Sequence, residues 1–282
     1  MEIVDAHGHF GTLAHISSAD FGPAPEQLPN WNEVEYHTRV ASMNAQNVSW
    51  QVMQPVHGYL RPEGIKDTMR VNNDIAAYRD RDPVRFPVAA GTVEPTHGER
   101  SMKEIERCKT ELKLDGLSWH PRFSGVYMDN KWMWPILRKM SDLGMVALMH
   151  ANPESQLEAP FRLGRLAREF PEMTFLVYDP FLTYEGTYAA LELATNLPNT
   201  VWVAGPIFPG YTDGALYSAW GLIESWVKHN GADRIAFGNA VGYSSTVPVT
   251  TNRLLSTILS CSLSNADKAA ILGGNVKRVF NR

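Results

Sequence analysis

Two histidines one residue apart, His7 and His9, close the apolar opening run Ile3-Val4-Asp5-Ala6. In an extended strand alternate side chains share a face, so this spacing aims both imidazoles the same way. A side-by-side pair of imidazoles begins a divalent-metal site better than it fills a core. His150 and Asp179 each end a later apolar run. Three imidazoles and a carboxylate suit zinc first, with manganese or iron(II) also within reach of that donor set. Such an ion lowers the pKa of its water to about 7 or polarises a carbonyl. Asp179 has two other uses, as a helix cap or as a partner for Arg162 or Arg165.

A second group of residues follows strand ends without belonging to the ligand set. His120, in Trp119-His120-Pro121, faces either a substrate or the packed interior, and with Asp179 it is a candidate for proton transfer. Arg122 beside it has the chemistry to clamp a substrate carboxylate. His57, Tyr59, Trp119 and Asn239 complete the expected substrate contacts, with Arg61 and Glu94 nearby. His15, His37, His97 and His229 fall in loops or helices and are read as ordinary polar residues.

These positions make sense only if the chain brings strand ends together. Eight apolar runs of strand length, from Ile3 to Phe237, each precede a helical pattern. The helices are expected at Trp31 to about Met43, Thr68–Arg81, Ser101–Leu112, Trp132–Leu143, Pro160–Phe170, Tyr184–Thr195 and Ala215–His229, with a helical tail from Thr250. Ser101 and Glu104 have capping-box spacing. Repeated strand–helix units mean a parallel sheet, and eight of them mean an α/β protein of the (β/α)8 barrel type, whose sites lie at strand C-termini. No Gly-x-Gly-x-x-Gly turn follows the first strand, which argues against a dinucleotide-binding open sheet. No linker divides residues 1–282, so one domain is expected. The aperiodic stretch between Phe10 and Asn30 is read as part of the pocket rim.

Composition narrows the partners. A net charge of −4 offers no field for nucleic acid or an anionic membrane. No apolar run approaches the roughly 20 residues of a membrane span, and no secretory leader is expected. Cys108 and Cys261 lie far apart in helical segments, so a disulfide is not expected and a reducing cytoplasm is. The expected partner is a small molecule, with self-association a common habit of such barrels.

The ordered motifs resemble the aminocarboxymuconate-semialdehyde decarboxylase-like branch of the amidohydrolase superfamily. Asp5-Ala6-His7-Gly8-His9 is similar to its opening Asp-x-His-x-His. Asn73 with Pro83-Val84-Arg85-Phe86 resembles its helix-two to strand-three signature, and Gly116-Leu117-Ser118-Trp119-His120-Pro121 its strand-four motif. Leu143 to His150 resembles the strand leading to the third histidine ligand. Ala232 to Gly238 and Ile271 to Phe280 are similar to the strand-eight lead-in and the terminal helix. The resemblance implies a metal held by His7, His9 and His150, with Asp179 as fourth ligand or proton carrier. It implies metal-assisted hydrolysis of a small, carboxylated molecule, with non-oxidative decarboxylation as the rival.

Two departures bear on activity. Asp179 stands where the family usually has a histidine on strand six. Gly238-Asn239-Ala240 stands where it has Gly-Thr-Asp, and alanine neither ligates nor takes a proton. Losing a general base costs about 10²–10⁴ in rate. Ala240 is therefore an engineered deletion, a natural change for which Asp179 or His120 compensates, or a mark of a non-catalytic ligand-binding relative.

Overall fold

The inward and outward side chains of the strands build two separate cores. Val4, Ala6, Val52, Leu148, Leu176 and Val203 meet in one buried cluster. Met53, Leu117, Met149, Phe175 and Trp202 belong to a second, packed beneath the helices. A strand covered on both faces reads as a nearly continuous apolar run, which is why these strands show so little alternation in the sequence. The computed structural model describes residues 1–11, 30–205, 223–238, 248, 250 and 252–282.

Eight parallel strands are hydrogen-bonded in chain order: β1 (Ile3–Phe10), β2 (Val48–Pro55), β3 (Val88–Gly91), β4 (Gly116–Trp119), β5 (Val146–His150), β6 (Phe175–Tyr178), β7 (Thr200–Ala204) and β8 (Ile235–Phe237). The sheet curls until the end of β8 lies against β1. A Cβ on Gly238 would sit 2.4 Å from Val203 Cγ1 and 3.0 Å from His7 Cβ, so a side chain there would block this approach. The result is a nearly closed (β/α)8 barrel, as the strand–helix alternation predicts.

Between the strands run α1 (Trp31–Ala45), α2 (Ile65–Arg81), α3 (Glu99–Thr110), α4 (Met133–Asp142), α5 (Pro160–Glu169) and α6 (Tyr184–Asn196), and residues 223–230 are helical. The remainder of the expected seventh helix and most of the expected rim after Phe10 lie outside the described residues. The terminal helical segment contributes Val276 and Phe280 to the inner cluster, closing the end of the barrel opposite the histidines. The capping box does not form. α3 starts at Glu99 after Gly98, because Ser101 donates to Glu94 O at 2.7 Å and Glu104 accepts from Asn72 and Arg107. Tertiary partners outcompete the local cap.

One irregularity positions the site. With Val4 and Ala6 inward, strict alternation would send His7 and His9 outward. The β1–β2 register slips between Asp5 and Gly8. Both imidazoles thereby return to the barrel interior, with Asp5 Oδ1 accepting the His7 amide at 2.9 Å. Such bulges re-aim side chains and recur beside functional sites.

Candidate active site

Five imidazoles converge at the C-terminal end of the barrel. β1 supplies His7 and His9, the segment after β2 supplies His57, the residue after β4 is His120, and β5 ends in His150. His7 Nε2 lies 2.8 Å from His9 Nε2 and 3.3 Å from His150 Nε2. The His150 ring stacks between His120, at 4.3 Å between centroids, and Tyr178, at 5.0 Å. Burial is the largest cause holding His7, His57, His120 and His150 well below their ordinary 6.5; the crowding of imidazoles that cannot all be charged together adds to it, as do Arg61 beside His57 and Arg122 beside His120. Burial likewise brings His9 down to about 4. All five are neutral at pH 7 and available as donors.

The tautomers test whether an ion fits. His9 Nδ1 is 2.9 Å from Pro55 O, and His150 Nδ1 is 2.9 Å from Trp119 O. A carbonyl accepts only, so each Nδ1 carries the proton and each Nε2 presents a bare lone pair. Those lone pairs converge on His7, whose Nδ1 is buried without a partner among the described residues. A proton on His7 Nε2 satisfies one neighbour and leaves the other facing it. A divalent cation satisfies all three, so the residues present fit such an ion. A second possible group is His120, His150 and Asp179. His150 has one free nitrogen, so the two groups compete for it.

An acid cluster adjoins the imidazoles. His120 Nδ1 is 2.6 Å from Glu158 Oε2, and His120 Nε2 is 3.6 Å from Asp179 Oδ2. Burial raises Glu158 to about 8 against the pull of Arg122, and raises Asp179 to about 7. Asp179 sits in the left-handed region at φ 63°, which an aspartate tolerates better than most residues and which puts its carboxyl at the β6 terminus. Among the described residues its Oδ1 has no hydrogen-bond partner. Arg162 and Arg165 do not pair with it; both bind Asp129. Arg122 reaches over the group, with Nε 3.4 Å from Glu158 Oε1 and Nη2 3.4 Å from His120 Nε2.

The other expected contacts take several places. His57 Nε2 bonds to Ser118 Oγ at 3.0 Å, beside the cluster. Tyr59 Oη donates to Glu94 Oε1 at 2.7 Å, where Arg61 Nε also donates, while Ser124 Oγ donates to Glu94 Oε2, so the Tyr59 hydroxyl is committed to the wall. Trp119 is packed in the outer core and donates to Val93 O at 2.7 Å, away from the inward-facing cluster. Asn239 and Ala240 lie outside the described residues. His37 pairs with Glu33 and His229 with Ser225 O, both on helices. Sequence reasoning missed Gln54, whose Oε1 accepts from Ser118 Oγ, Ser118 itself and Glu158. The first two are polar residues at inward strand phases next to the site, a readable signal. Glu158 sits in a loop before Pro160, and nothing in its local sequence marks it.

The raised Glu158 makes a stability prediction. Between its ordinary 4.5 and about 8, the folded chain holds a proton that the unfolded chain has released. Its stabilising share is complete below the lower value and lost as pH rises through the upper one. Glu158→Gln has no such dependence. In chelator-treated protein, the melting temperature of the variant is expected to gain on wild type by a few degrees between about pH 5 and about pH 9. Parallel profiles would show Glu158 ionised throughout.

Comparison with known proteins places this geometry. The profile of the family described as Amidohydrolase matches residues 4–282. A 2-amino-3-carboxymuconate-6-semialdehyde decarboxylase of Dictyostelium discoideum is 29% identical over 117 residues, covering 40% of this chain and 32% of that protein. The matched region thus spans about a third of that relative. A 5-carboxyvanillate decarboxylase from Novosphingobium aromaticivorans, solved with manganese and 4-hydroxy-3-methoxy-5-nitrobenzoic acid, superposes with TM-score 0.69 at 16% identity, over 100% of this chain and 96% of that one. A 2,6-dihydroxybenzoate decarboxylase from Rhizobium gives TM-score 0.66 at 16% identity, over 99% and 98%. At that identity the two structures establish the shared fold alone. Among the described residues no helix is long and apolar enough to cross a membrane.

Proposed function

We propose that this chain, which belongs to the amidohydrolase family, is a metal-dependent decarboxylase of a small unsaturated or aromatic carboxylic acid. The names of the curated relative and of the similar structures favour this over the hydrolysis expected from the motifs. The observation that carries the reading is geometric: His120 lies between two buried acids, with Nδ1 2.6 Å from Glu158 Oε2 and Nε2 3.6 Å from Asp179 Oδ2. Hydrolysis calls for a base to activate water, whereas decarboxylation calls for an acid to protonate carbon. Burial raises both acids, Glu158 to about 8 and Asp179 to about 7 in the metal-free protein, which suits them to supply a proton rather than to take one.

His7, His9 and His150 would hold the ion, with Asp179 near enough to His150 to join them. Zinc or manganese, if bound there, would supply positive charge that offsets the substrate's carboxylate. The half-exposed Arg122 guanidinium binds the substrate's anionic end. Cleavage of the carbon–carboxylate bond releases carbon dioxide and leaves the electron pair on carbon. That carbon takes a proton from the His120–Glu158 pair, whose two groups are joined at His120 Nδ1. Asp179 shares this duty when it is not ligating. Alanine at position 240 is compatible with such a route, because the proton comes from elsewhere.

The test is product analysis in D2O with manganese- or zinc-loaded protein and a panel of hydroxybenzoates and unsaturated dicarboxylates. Carbon dioxide release with one deuterium on the product carbon is expected. Addition of water without carbon dioxide would establish hydrolysis, and binding without turnover would establish a non-catalytic relative. Ala240→Asp is expected to change turnover by less than about tenfold, because the proton has another source. A gain of about 10²–10⁴ would assign proton transfer to position 240 instead.

A further inference from the structure

We infer that Gln51 is a positioning residue that sets the affinity of the candidate metal centre by fixing the bulge in β1; this rests on the metal-centre reading above. The dipeptide steps on either side of Gly8 are held at both ends by one buried chain of hydrogen bonds. Asp5 Oδ1 accepts the His7 amide at 2.9 Å, and Gln51 Nε2 donates to Asp5 Oδ2 at 2.7 Å. Gln51 Oε1 accepts from Arg39 Nη1 at 2.7 Å, and Arg39 Nη2 donates to His9 O at 2.5 Å. Gln51 thus joins the anchor of His7 to the anchor of His9.

The clamp is built into the interior. Asp5, Arg39 and Gln51 are all 0% exposed. Glu35 balances the Arg39 charge and also accepts from Tyr78 Oη at 2.7 Å, so α1 and α2 are tied to β1 and β2. Gln51 also fills the space under the bulge. A Cβ on Gly8 would lie 2.5 Å from its Cδ, so the glycine between the two histidines leaves room for this side chain. A one-residue change of register turns every side chain in a strand to the other face. Ligand atoms must be held to within about 0.5 Å for tight binding. The bulge therefore needs a lock, and Gln51 is the member of it that carries no charge.

The measurement is metal affinity by chelator competition, with manganese and zinc, together with the visible absorption spectrum of the cobalt(II)-loaded protein. Gln51→Met keeps the side-chain length and removes the hydrogen bonds to Asp5 and Arg39. It is expected to weaken metal binding by about 10–100-fold, the cost usual for groups that orient ligands, and to alter the cobalt spectrum, with the metal-free protein still folded by circular dichroism. Equal affinity and an unchanged spectrum in Gln51→Met would overturn the inference while leaving the metal centre intact. A wild-type protein that takes up no ion would overturn the metal-centre reading, and this inference with it. Should Gln51→Met fail to fold, Gln51→Asn, which retains the amide one methylene short, is read the same way.

Discussion

His150→Ala is expected to leave the protein folded, short of metal and without turnover. Three Nε2 atoms share one point, and His150 contributes its only free nitrogen there, since Nδ1 is engaged by Trp119 O. Removing a ligand costs more than the roughly 10–100-fold in affinity that removal of an orienting partner costs. The ring is sandwiched between His120 and Tyr178, so alanine also leaves a gap. The surrounding nitrogens and hydroxyls make that gap polar enough to take water, which limits the structural damage. Metal content after dialysis against a weak chelator, measured beside circular dichroism, checks this. A variant that keeps a full equivalent at wild-type affinity would move the ion to some other donor set.

His120→Asn is expected to separate metal binding from chemistry. His120 touches both acids of the cluster but does not share in the short contacts among His7, His9 and His150. Its loss is expected to lower kcat by about 10²–10⁴, the usual worth of a positioned proton donor, with metal content unchanged. The solvent-derived deuterium should still appear on the product carbon, because water replaces the lost donor slowly. Metal loss parallel to the loss of rate would instead make His120 a ligand, through the group it forms with His150 and Asp179. A drop of less than about threefold would remove it from the proton path and leave Asp179 as the remaining donor.

Hydrophobic pattern and residue order determined the scaffold of this protein. Eight short apolar runs, each followed by a helical period, left a parallel barrel as the architecture that buries every run on both faces. Strand-end histidines were legible for the same reason, since the alternation that makes Val146 and Leu148 inward makes His150 inward too. Lengths of individual elements were less legible. Ser101 and Glu104 have the spacing of a cap, yet both are taken by partners on other elements.

Three features were decided by tertiary structure alone. Alternation by itself would have turned His7 and His9 away from Ala6's face; the slipped register between Asp5 and Gly8 turned them back, and register depends on the neighbouring strand. Glu158 entered the site because a loop folded it under His120, a pairing of residues 38 positions apart that no local pattern encodes. Trp119 and Tyr59, plausible wall residues from their neighbours in the chain, went instead to the outer core and to Glu94. In each case the chain shows which chemistry is available, but burial and the choice of hydrogen-bond partner are properties of the packed molecule, and these decide which groups meet.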